Sequence, residues 1–195
     1  MTLLDALATV PDPRRAQGRR HQLPPILAAT VMAMLSGHHG YRPIARFLRH
    51  NADQLRRLLP FGPHALPSHV SVRAVLQAID FDALSAALRA WAAARLPAGE
   101  VLAVDAKAIR STVAGHDGPA QDFACLVSAY GVHSGLVAAT TAYDNGHTSE
   151  VHAAQTLIAD LAEALDLTGA TVTLDALHAV KKRSAVSARP APTIS

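Results

Sequence analysis

The chain has 195 residues, half of them hydrophobic, which suits one ordinary domain or two small ones and excludes wholesale disorder. No apolar run approaches the ~20 residues of a membrane helix, and a single cysteine, Cys125, excludes a disulfide scaffold or a zinc ribbon. The net charge of +3 hides a split: residues 1–60 carry +6, residues 101–180 carry −7 and the last fifteen carry +4, a pattern expected of segments with different partners.

Leu3 to Val10 predicts a short helix closed by Pro11-Asp12-Pro13. The stretch from Pro11 to Pro25 is a polar, Pro- and Gly-punctuated arm. It holds Arg14, Arg15, Arg19, Arg20 and His21, a cluster suited to phosphate contact because guanidinium groups bind phosphate bidentately. A solvated surface arm is the plainer reading of the same residues. Ile26 to Leu35 predicts a buried helix ended by Gly37 and Gly40. Tyr41 to Asn51 is amphipathic, with Ile44, Phe47 and Leu48 on one side and Arg42, Arg46 and Arg49 on the other, and Leu55 to Leu59 continues it to Pro60. Ser68 is a candidate N-cap for a helix with Val72, Val75, Leu76 and Ile79 on one stripe. Phe81, Leu84, Leu88 and Trp91 repeat at helical spacing up to Leu96.

After Gly99 the period switches. Residues 100–105, 123–130 and 136–143 read as three strands joined as an antiparallel meander. A long amphipathic helix follows over 149–165, then a fourth strand over 170–175. The first and fourth strands each end on an aspartate, Asp105 and Asp175. A helical crossover of this length makes the fourth strand parallel to the first, and right-handed connection places the two side by side. Asp105 and Asp175 are then neighbours at one sheet end. Two such carboxylates repel unless a hard cation such as Mg²⁺ (or Mn²⁺) neutralises them. Paired metals of that kind serve phosphodiester cleavage and strand transfer. Lys107 and Arg110, just past Asp105, are placed to meet a phosphate, or equally to pair with nearby acids. Glu150 reads as a first-turn carboxylate of the long helix rather than a metal ligand. The eleven histidines lack zinc-ligand spacing.

In these residues the chain resembles the insertion-sequence transposases of the H-repeat-associated (ISAs-type) family, within the DDE superfamily. The matching blocks are Val10 to Arg15, Gly18 to His21, Leu35-Ser36-Gly37, Pro67-Ser68-His69 with Arg73, Ala103-Val104-Asp105 with Lys107 and Arg110, Leu126 to Ala129, and Thr173 to His178. The resemblance implies a helical DNA-associated region over 1–97 and an incomplete ribonuclease-H-like domain over 98–182, followed by an unrelated tail, 183–195. The expected class is therefore α+β / α/β, a helical domain followed by a truncated mixed sheet with one crossover helix. It also implies that Asp105 and Asp175 are the first and second catalytic acids, with Mg²⁺ or Mn²⁺ as cofactor. The implied partner is double-stranded DNA at transposon ends, with a homo-oligomer compatible, no membrane, and a cytoplasmic, nucleoid-associated location.

Three departures from the family pattern stand out. Ala106 replaces a usual Gly, Ser149 replaces a usual Asn, and the family's third acid, a Glu, has no counterpart after Asp175. The expectation is thus a truncated chain, catalytically silent by itself. The alternative is a non-enzymatic DNA-binding remnant that interferes with an intact transposase.

Overall fold

A computed structural model describes residues 1–109, 112, 123–144, 146–164, 167–174 and 193–194. The chain divides into two compact units, Met1–Ala87 and Leu88–Ser195.

The first unit is helical: α1 (Leu3–Leu7), a 3₁₀ turn at Ala16–Gly18, α2 (Leu23–Leu35), α3 (Tyr41–His50), α4 (Ala52–Leu58), α5 (His69–Ala78) and the start of α6 (Phe81–Ala93). Thr2 and Asp5 cap α1 reciprocally, each side chain accepting from the other's backbone amide. Helix α2 starts three residues earlier than the expected Ile26. Pro24 and Pro25 occupy its first turn, where a missing N–H costs nothing and a fixed φ suits the helix. Ser68 caps α5, its hydroxyl accepting from the Ser71 amide at 3.3 Å. The expected helix over 41–59 is two helices. Asn51 leaves helical geometry (φ −105°, ψ 22°), and its side-chain amide donates to the Phe47 carbonyl. Leu7, Ile26, Leu48, Leu55, Val72 and Val75 are all fully buried and form this unit's core. Each such side chain contributes about 1.5–3 kcal/mol through its burial.

The second unit is built on a mixed sheet in the order β3-β2-β1-β4-β5. Strands β1 (Val101–Ala108), β2 (Ala124–Gly131) and β3 (Val137–Asp144) form the expected antiparallel meander. Helix α7 (Glu150–Ala164) then crosses over to β4 (Thr171–Leu174), which runs parallel to β1 and beside it. A two-residue strand, β5 (Thr193–Ile194), adds to β4 from within the stretch expected to be an unrelated tail. The arrangement is α+β, helices followed by a mixed sheet with one crossover helix.

Leu102, Val104, Val127, Ala129 and Val172 of the sheet pack against Ala153, Ala154, Leu157 and Leu161 of α7. The entries into β1 and β4 lie side by side, and both use glycine. Gly99 and Gly169 have φ of +72° and +76°, and a Cβ on Gly99 would sit 3.7 Å from the Gly169 carbonyl. This close approach sets the β1–β4 register. Among the described residues no helix is long and apolar enough to cross a membrane.

Candidate functional site

The β1–β4 ladder pairs Val101 with Thr171 and runs to Val104 opposite Leu174. Asp105 and Asp175 are the residues that follow that last pair in the sequence. Asp105 is exposed. It stands within β1, three residues short of the strand's end, not at the end as the sequence suggested. The strand is longer because β2 pairs with it out to Ala108 opposite Cys125. Asp175, Arg110 and His178 lie outside the described residues.

Leu102 and Val104 belong to the core shared with α7, so alternation puts Asp105 and Lys107 on the opposite face of the sheet. On that face Asp105 is in register with Ser128 of β2, and Ser128 with Thr140 of β3. The Ser128 and Thr140 hydroxyls are 3.2 Å apart. A carboxylate and two hydroxyls therefore form a polar row across three strands. Neither hydroxyl stood out in the sequence, although period-2 alternation from buried Val127 and Ala129 was a signal available to find Ser128. Among the described residues the Asp105 carboxylate has no hydrogen bond or ion pair. Exposed and with hard oxygens beside it, it suits Mg²⁺ better than a soft metal. No group of three or more His, Cys, Asp or Glu side chains that could hold a metal occurs among the described residues.

Glu150, in the first turn of α7, belongs to the other face. Tyr143, packed against the α7-side core, has its phenol pushed well above its ordinary value, chiefly by burial, then by a hydrogen bond with Cys125 and by the Cys125 and Glu150 charges. Glu150 thus acts on the α7 side of the sheet, while Asp105 lies on the far side.

In the helical unit the arm folds around Asp12. Arg14 grips its carboxylate with two nitrogens, Nε to Oδ1 at 2.9 Å and Nη2 to Oδ2 at 2.8 Å, and Nη2 also donates to the His21 carbonyl at 2.8 Å. Arg19 donates to the backbone carbonyls of Arg14 and Asp12. The hydrogen bond from Arg14 holds the Asp12 carboxyl below its ordinary value against some burial. His21 is buried, its Nε2 donating to the Ala65 carbonyl at 3.0 Å and its ring edge-on to Phe61. Arg14 and His21 therefore belong to the framework of the arm. Arg15, Arg19 and Arg20 remain exposed.

Two open grooves flank the segment 65–68. One, of about 390 Å³, has Arg20, Gln17 and Arg14 on its wall. The other, of about 480 Å³, is walled by Arg42, Arg46 and Arg49 of α3 and Arg56 of α4.

Residues 4–92 match a family model described as DDE_Tnp_1-associated. The N-terminal part of this chain is a DDE_Tnp_1-associated domain. This transposase-associated domain covers all of the helical unit except its first three residues. Beyond it, the chain is similar to a protein of Xanthobacter autotrophicus described as an uncharacterized protein in the dhlA 3' region. The two are 34% identical over 176 residues, which is 88% of this chain and 57% of that relative. The chain thus spans little more than half the relative's length. The similarity extends past the transposase-associated domain into the sheet, since 176 residues cannot fit within 4–92.

Proposed function

We propose that this chain forms the DNA-associated domain and the first part of the catalytic domain of a DDE transposase, acting on duplex DNA ends with Mg²⁺ or Mn²⁺. The observation that carries the reading is the parallel β1–β4 ladder whose last pair, Val104 and Leu174, precedes the two aspartates. The transposase-associated domain at residues 4–92 supports it independently.

On this reading Asp105 and Asp175 share the cation, and their mutual repulsion in its absence becomes attraction to it. Bound there, Mg²⁺ supplies charge neutralisation and Lewis acidity toward a phosphodiester. Lys107, exposed on the face that carries Asp105, draws the phosphate toward the carboxylates, and Arg110 adds a second positive charge. Ser128 and Thr140 extend the polar row beside Asp105. The rigid ladder keeps these groups in fixed register, as in-line phosphoryl displacement demands.

The test is cleavage of duplex DNA carrying the chromosomal sequence that flanks the coding region, in the presence of Mn²⁺. Metal-dependent nicking that disappears in Asp105→Asn and in Asp175→Asn, with DNA binding retained, is the expected outcome for the complete protein. Nicking that survives both substitutions would overturn the assignment.

A further inference from the structure

Helix α3 carries Arg42, Arg46, Arg49 and His50 and no acid in its ten residues. The three arginines recur at i, i+4 and i+7, while Ile44 and Leu48 on the opposite side are buried. All three are exposed, and among the described residues none has an ion pair or a hydrogen bond to its side chain. Like charges at i, i+4 cost helix stability. Arg42 stands in the first turn, where the positive end of the helix dipole disfavours a cation. A merely solvated face relieves such repulsion with interspersed acids, and this one does not.

The three arginines also share one groove with Arg56, whose guanidinium is held by the His64 carbonyl at 3.1 Å and faces only a distant Asp53 carboxylate at 4.0 Å. Ser68 and His69, the cap and first residue of α5, form the far wall, so that helix adds its own positive end. From Arg42 to Arg49 the helix rises about 10 Å, near the axial span of three successive phosphates on one DNA strand.

We propose that this groove seats the phosphate backbone of duplex DNA, with Arg42, Arg46, Arg49 and Arg56 as the phosphate ligands. The assignment rests on the reading of the chain as a DNA-acting protein and moves the principal contact from the arm to α3. In the arm, Arg14 and Arg19 are already committed to Asp12 and to backbone carbonyls. Each phosphate contact contributes about 0.9 to the slope of log K against log salt.

The experiment titrates the full chain with a fluorescent 30-base-pair duplex of arbitrary sequence at several salt concentrations. Arg42→Gln, Arg46→Gln and Arg49→Gln together should flatten the salt slope by about two to three and weaken binding more than tenfold at low salt. The triple variant should melt no lower than the parent, because relieving like-charge repulsion does not harm the helix. A lower melting temperature would assign these arginines to the fold and overturn the proposal. An unchanged slope, with loss on Arg15→Gln and Arg20→Gln instead, would overturn the groove and leave the DNA-acting reading intact. Tighter binding of a duplex RNA of the same sequence would also overturn it. A parent chain that binds no nucleic acid would sink the DNA-acting reading itself.

Discussion

Val104 and Leu174 face one another as the last pair of the parallel β1–β4 ladder, and each is followed in the sequence by an aspartate. The pairing follows from ordinary chain logic. A fifteen-residue helix, α7, returns the chain to the side of β1, and a helical return of that kind makes the strands parallel. Gly99 and Gly169 then let the two strand entries come close enough to fix the register.

Glu100, just before β1, ties down the β2–β3 turn. It is 3% exposed, and Oε1 accepts from the amides of Val101 and His133 and from His133 Nδ1, while Oε2 accepts from the Ser134 amide. Burial opposes its ionisation, but the hydrogen bonds from the Ser134 side chain and these amides outweigh it and hold the pKa at about 2 rather than 4.5. Because the folded value is the lower one, the stabilisation is complete above pH 4.5 and is lost as pH falls toward 2. Glu100→Gln should therefore destabilise the protein by on the order of 2–3 kcal/mol near neutral pH. The difference in melting temperature between parent and variant should shrink between pH 4.5 and pH 2. A difference that stays constant across that window would show that the carboxylate charge is not what holds the turn. Gly131 belongs to the same device, since a Cβ there would collide with the Ser134 hydroxyl and come within 2.8 Å of Glu100 Oε2.

His21 should behave as a core residue rather than a DNA contact. Its Nε2 reaches the Ala65 carbonyl across 44 residues of sequence, and its ring packs on Phe61. His21→Ala should cost about 2–4 kcal/mol through the lost hydrogen bond and the cavity left behind. Chemical denaturation measures this directly. Unchanged stability with weakened DNA binding would reverse the assignment.

The sheet was legible in the sequence because period-2 alternation and short turns specify a meander, and because a helix between strands specifies a parallel neighbour. The helical unit was legible in outline only. Leu48 and Leu55, seven apart and both buried, continue one helical stripe across Asn51, so the break between α3 and α4 leaves no mark in the hydrophobic pattern. Pro24 and Pro25 read as the end of a loop, although they are equally suited to a first helical turn. The arm was the least legible part. Arg14 and Arg15 are adjacent and chemically alike, yet only Arg14 is gripped by Asp12. Which arginine turns inward depends on the path of the chain around Asp12, and composition carries no trace of that path. The arginines of α3 were visible as a polar face, but their shared groove with Arg56 and α5 arises only when three helices pack.

The central claim is that Asp105 and Asp175 together hold a divalent cation, and metal binding tests it without requiring turnover. Mn²⁺ titration of the full chain, followed by electron paramagnetic resonance, should give saturable binding. Asp105→Asn and Asp175→Asn should each weaken it at least tenfold, while Asp144→Asn, on an exposed strand end of β3, leaves it unchanged. Equal Mn²⁺ affinity in the parent and in both variants would contradict the account.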